Sequence, residues 1–150
     1  MSPTTPTEYR TVTPYLKLLN SERLVEFLKS AFGATEKDRL LKPDGTLLHA
    51  ELYIGDTLLM IHELPPQGVP KPCTLYLRVA DTDDTFQQAI AAGAAPIFPP
   101  TDMYYGDRVA CVTDVSQNDW WIAAPIENLS LSEIQTRAAD FLHARSQDSE

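Results

Sequence analysis

Cysteine, glycine and positive charge are scarce in this chain of 150 residues, and it contains no long apolar run. Two cysteines, Cys73 and Cys111, stand far apart with no CxxC partner, so neither a disulfide framework nor a thiolate zinc site is expected and both read as structural thiols. No apolar stretch approaches the roughly 20 residues needed to span a bilayer. The polar, Pro/Thr-rich start has no signal-like apolar run, so a cytoplasmic protein that avoids membranes is the expectation. Basic residues number 12 against 21 acidic ones, a formal net charge of -9 with a pI near 4.7, which argues against a nucleic-acid or anionic-membrane partner and for a neutral or cationic small one. Gly-rich phosphate loops, a Rossmann fingerprint and a Gly-x-Ser-x-Gly elbow are all missing. What remains is ordinary for a folded chain, 43 % apolar and 22 % charged, and 150 residues suffice for one domain with a real core.

A repeat organises that domain. Thr13-Pro14-Tyr15-Leu16-Lys17-Leu18 returns 61 positions later as Thr74-Leu75-Tyr76-Leu77-Arg78-Val79. Each copy runs into a helix start, with Asn20 or Ser21 capping residues 22–31 and Asp81 capping residues 82–92. Both helices stop at a glycine, Gly33 and Gly93. Three strands are expected after each glycine. In the first half they are 35–41, 46–54 and 57–63, separated by a Pro43-Asp44-Gly45 turn and a Gly55-Asp56 hairpin turn. In the second they are 96–100, 107–113 and 118–124, with a loop containing Tyr104, Tyr105 and Gly106. Residues 64–72, carrying four prolines, form the linker. A last amphipathic helix over 130–145 sets Leu131, Ile134, Ala138, Phe141 and Leu142 on one side. The chain therefore reads as a single α+β domain of two βαβββ modules, 9–63 and 73–126, that form a curved, cavity-enclosing mixed sheet with helices outside.

These elements carry a resemblance. The sequence resembles the vicinal oxygen chelate superfamily of glyoxalases, bleomycin resistance proteins and extradiol dioxygenases, and within it the PhnB-like subgroup. The motifs are Val12-Thr13-Pro14-Tyr15, Ala31-Phe32-Gly33-Ala34, Pro43-Asp44-Gly45, His49-Ala50-Glu51-Leu52, Ile54-Gly55-Asp56 and Tyr105-Gly106-Asp107-Arg108, spread over about residues 9–130. The resemblance implies a homodimer, sometimes with exchanged segments. It also places the superfamily's metal ligands at Thr13, Met60, Thr74 and Trp121. A hydroxyl, a thioether and an indole cannot replace imidazole and carboxylate around a divalent ion, so no metal site and no cofactor are expected.

Strand alternation selects the side chains that face away from the helices. Val12, Leu16 and Leu18 pack in the first strand, which leaves Thr13, Tyr15 and Lys17 on the other face. Leu75, Leu77 and Val79 pack in the fifth, which leaves Thr74, Tyr76 and Arg78. A two-residue turn at Gly55-Asp56 pairs Ile54 with Thr57, Leu52 with Leu59 and Ala50 with Ile61 on the packing face. The opposite face then sets His49 across from His62, Glu51 from Met60 and Tyr53 from Leu58. In the last strand Trp120 packs toward the helices and Trp121 enters the cavity.

The expected ligand-binding set is thus Tyr15, Tyr53, Met60, His62, Tyr76, Arg78, Tyr105, Arg108 and Trp121, an aromatic wall with a few polar groups, which is how small-molecule pockets are built. His49 and Glu51 are the candidate catalytic pair, either an acid-base group, a solvated polar pair, or the start of a site for a divalent metal. Three functions remain: metal-independent binding of a small aromatic or cationic molecule, a PhnB-like or glyoxalase-like lyase or isomerase using His49 and Glu51 with or without a divalent metal, or a structural or regulatory partner whose cavity is vestigial.

Overall fold

A computed structural model describes residues 9–148 and shows the repeat as two four-stranded sheets. The first module runs β1 (Tyr15–Leu18), α1 (Ser21–Phe32), β2 (Thr35–Leu41), β3 (Leu47–Ile54) and β4 (Thr57–Glu63). The second runs β5 (Thr74–Arg78), α2 (Thr82–Ala91), β6 (Ala95–Asp102), β7 (Asp107–Thr113) and β8 (Asp119–Pro125), and α3 (Leu131–Asp148) follows. Strand order is β1-β4-β3-β2 in one sheet and β5-β8-β7-β6 in the other. The two sheets do not join into a closed barrel.

The register repeats as well as the order. Tyr15 lies beside Met60 in the parallel β1–β4 pair and Tyr76 beside Trp121 in the β5–β8 pair, so every residue of the first match recurs 61 positions on. The β3–β4 hairpin has the pairing that a two-residue turn dictates, from Ile54 with Thr57 to His49 with His62.

The helix-side faces share one core. Leu16, Leu18, Leu52 and Ile61 of the first sheet meet Leu24, Val25 and Leu28 of α1, and the same cluster takes in Val112, Trp120 and Ile122 of the second sheet with Ala89 of α2. Phe32 at the end of α1 reaches Trp120, their ring centroids 4.9 Å apart. The Ser116 hydroxyl donates to the Leu19 carbonyl at 2.7 Å, a second tie between modules.

Several local expectations are corrected. Val12 is 81 % exposed and lies ahead of β1, because the strand begins only where Tyr15 finds Met60 as a neighbour. Thr13 is outside the strand for the same reason. Asn20 does not cap α1 through its side chain; the orphan Ser21 amide donates instead to Glu63 Oε1 at 2.9 Å, so the end of β4 supplies the cap. Asp81 does cap α2, accepting from the Asp84 amide at 3.0 Å. Strand β6 is longer than its prolines suggested. It is an edge strand, paired only with β7, and irregular register steps at Pro96–Phe98 and Phe98–Thr101 absorb the missing donors. Helix α3 buries no residue fully; Phe141 packs on Tyr104 with ring centroids 5.0 Å apart, while Leu131 and Leu142 at either end of its apolar stripe are 80 % and 61 % exposed.

Candidate functional site

Alternation along β3 and β4 sends Ala50, Leu52, Leu59 and Ile61 into the core and turns His49, Glu51, Tyr53, Met60 and His62 to the opposite face. The two histidines meet there, Nδ1 to Nδ1 at 3.3 Å. Tyr15 on β1 stands edge-on to both rings, with centroids 6.0 Å from His49 and 6.2 Å from His62, and Lys17 Nζ lies 5.8 Å from the Tyr15 ring. Burial, then the like charges of His49 and Lys17, hold the His62 imidazole below its ordinary value. One ring of such a pair donates and the other accepts, and the tautomer decides which.

Glu51 does not bond to His49. Its carboxylate is only 7 % exposed and accepts the Tyr9 hydroxyl at both oxygens, at 2.9 and 2.7 Å. Lys37 Nζ lies 3.2 Å from Glu51 Oε2 and 3.3 Å from the Tyr9 hydroxyl. Lys37 reaches this face because β2 is bulged: Glu36 pairs with Leu52 and Asp38 with Glu51, so Lys37 is an extra residue between two successive partners. Tyr53 lies two pairs further along, opposite Leu58, which is buried although it was expected on the open face.

In the second module the same face carries Trp121, Tyr76 and Asp107. Tyr76 and Trp121 are stacked, with centroids 6.5 Å apart and planes 26° apart, and Phe98 of β6 meets Trp121 edge-on at 5.2 Å. The Tyr76 hydroxyl donates to Asp107 Oδ2 at 2.6 Å, and the Tyr105 hydroxyl lies 3.4 Å from it. Burial, then these hydrogen bonds, push the Tyr76 phenol well above its ordinary value. Arg78 is exposed, its guanidinium 4.0 Å from Asp107. Trp120 points the other way and is 2 % exposed, as alternation requires.

Arg108 does not join this group. It follows Asp107 in the strand and so faces α2, where it bonds Asp83 at 2.8 and 3.0 Å and Asp102 at 2.9 Å. The expected residues therefore gather in two sets, Tyr15, His49 and His62 in one module and Tyr76, Tyr105 and Trp121 in the other. Apart from Tyr105, whose ring meets Tyr104 in the preceding turn, each set makes its ring contacts within its own sheet.

A cavity of about 700 Å³ lies somewhere else again. It opens at the seam between modules, along the unpaired edge of β5, and is lined by Phe32, Ile54, Leu75, Leu77 and Trp120; of the expected ligand residues only Tyr76 and Arg78 border it. Sequence reasoning missed Tyr9, Lys37 and Phe98. Tyr9 belongs to no helix or strand, Lys37 depends on a bulge that alternation does not foresee, and Phe98 sits in the part of β6 disguised by prolines.

The metal chemistry that the fold suggests finds no ligands here. Met60, Thr74 and Trp121 offer a thioether, a hydroxyl and an indole, and Thr13 precedes its strand. Among the described residues no three His, Cys, Asp or Glu side chains gather in a way that could hold a metal ion.

Residues 20–122 match the family model described as Glyoxalase/Bleomycin resistance protein/Dioxygenase superfamily. The chain is 31 % identical over 135 residues to Rv0887c, an uncharacterized protein of Mycobacterium tuberculosis, a match covering 83 % of this chain and 79 % of that protein. Its fold is similar to TioX from Micromonospora sp. ML1, with TM-score 0.62 and 24 % identity over 81 % of this chain and all of that one. The fosfomycin resistance protein FosX from Listeria monocytogenes also has TM-score 0.62, at 16 % identity, covering 84 % of this chain and 98 % of that one. With its doubled βαβββ modules, the chain belongs to the glyoxalase/bleomycin resistance protein/dioxygenase superfamily.

Proposed function

We propose that the protein binds a small aromatic or cationic molecule on the open faces of its two sheets and does so without a metal ion. The observation that carries this reading is the half-open aromatic wall of Trp121, stacked on Tyr76 and flanked by Phe98, with Asp107 and Arg78 at its polar end. Flat apolar surface supplies affinity for a ring, and the fixed polar groups supply orientation. The similarity to a fosfomycin resistance protein supports a small-molecule ligand in general terms. Titrating planar aromatic amines into the protein should quench its tryptophan emission, and Trp121→Ala should weaken binding about ten-fold, as loss of about 1.4 kcal/mol of stacking requires. Unchanged affinity in Trp121→Ala would remove the wall from the site.

A second reading, acid-base catalysis on a carbonyl or enol substrate, is favoured by the His49–His62 contact. Turnover that is abolished in both His49→Gln and His62→Gln, in protein shown free of metal by elemental analysis, is what this reading requires.

The working form in this proposal is a homodimer. Supporting it are the unpaired edge of β5, where Leu75 and Leu77 are only half-buried, and the exposed Leu131 and Leu142 on α3. Both cysteines are free, which fits the proposed cytoplasmic location.

A further inference from the structure

We infer that the Tyr9 side chain occupies a site built for a phenolic hydroxyl, so that this residue competes with a hydroxylated aromatic ligand for Glu51 and Lys37. The inference rests on the reading that the open face of the first sheet receives small molecules, and it names the chemistry one part of that face selects.

Three contacts define the site, and all three address the phenol itself. The carboxylate of Glu51 accepts the hydrogen bond of the hydroxyl, with both oxygens in range at 2.9 and 2.7 Å. The ammonium of Lys37 approaches the hydroxyl oxygen at 3.3 Å. The same ammonium stands 5.2 Å from the centroid of the Tyr9 ring, within reach of a cation–π attraction. None of these contacts requires that the phenol be attached to residue 9.

The site is also more than a surface pair. A carboxylate that is 7 % exposed on a strand must be satisfied by donors or it destabilises the sheet, and here the donors converge from two other segments. One of them is delivered by a bulge, a device that re-aims a side chain at the expense of regular pairing. His49, two residues before Glu51 on the same strand, lies on the same face, so a ring held by Glu51 and Lys37 would lie along the row leading to His62 and Tyr15.

Tyr9 is joined to β1 by only five intervening residues, 10–14, which form no helix or strand. Such a short tether presents the side chain at an effective concentration on the order of millimolar, which a free phenol must match in order to displace it. Removing the Tyr9 ring should therefore convert a weak phenol site into a stronger one.

The test is an NMR titration of the whole chain with 4-methylphenol, with toluene as the probe that lacks the hydroxyl. In the wild-type protein, 4-methylphenol at about millimolar concentration should move the Tyr9 and Glu51 resonances. Tyr9→Ala should bind it at least about ten-fold more tightly and prefer it to toluene by at least as much, and adding Glu51→Gln should abolish that preference. The inference is overturned if saturating 4-methylphenol leaves Tyr9 unmoved in the wild type, if Tyr9→Ala gains no affinity, or if toluene binds equally well. Should Tyr9→Ala fail to fold, the wild-type titration alone decides. A response of the Trp121 indole without one at Tyr9 ends this inference and leaves the binding reading standing, whereas silence at both places ends both.

Discussion

The fold lowers the proton affinity of His62 on the open face, and the cause is local: burial first, then the positive charge of His49 across the hairpin and of Lys17 on β1. Glu63 opposes these and Lys42 adds to them, while Tyr15 faces the pair edge-on. Below the ordinary value of 6.5 the unfolded chain binds a proton that the folded one resists, so this group's contribution is whole above pH 6.5 and lost as pH falls through the lowered folded value. The melting temperature of His62→Gln should therefore decline less than that of the wild type between about pH 7 and pH 5. Parallel declines would show that the pair is solvated in both states. Strand alternation and the two-residue turn made the juxtaposition of His49 and His62 legible in the sequence. The partners of Glu51 were not legible, because Tyr9 lies 42 positions away in a segment without periodicity and Lys37 owes its direction to a bulge.

Among the elements, β8 depends on the turn that precedes it. Asp114, almost fully buried, accepts from the Ser116 and Asn118 amides at 2.8 and 3.0 Å, from Asn118 Nδ2 at 3.0 Å and from Trp120 Nε1 at 2.7 Å. Gln117 in this turn has φ 74, a left-handed conformation that costs a residue other than glycine about 1 kcal/mol and persists because its neighbours are held. Asp114→Ala would leave the buried Trp120 N–H and the Asn118 side chain without acceptors and should cost about 3 kcal/mol in a urea denaturation. A loss below about 1 kcal/mol would mean that water replaces the carboxylate. Hydrophobic alternation marked β8 within one residue at each end, but a lone aspartate between strands carries no sign of the four donors it will collect. The same limit applies to α1, whose N-terminal cap comes from Glu63, 42 positions after Ser21.

At the scale of the whole molecule, the repeat told the order of elements in each half and which faces they bury, and the shared core of Leu16, Leu52, Val112 and Trp120 follows from it. How the two open faces stand relative to one another was not legible, since no repeat or alternation specifies the angle between two sheets that share no hydrogen-bonded edge. That open edge is where the homodimer makes its prediction. Sedimentation equilibrium should give a mass of about 33 kDa, twice the 16.7 kDa of the chain. A mass near 17 kDa would leave the seam open to solvent and overturn the proposal.

The parallel pairing of first and fourth strands also has a consequence in time. Tyr15 meets Met60 and Tyr76 meets Trp121, each across 45 positions of sequence. During synthesis at about 5–20 residues per second, β1 leaves the ribosome several seconds before β4, its strand neighbour among the described residues, exists, and β5 repeats the wait for β8. Over that interval Leu16 and Leu18, then Leu75 and Leu77, have no sheet to enter, so each module is at its most vulnerable to aggregation before its last strand arrives.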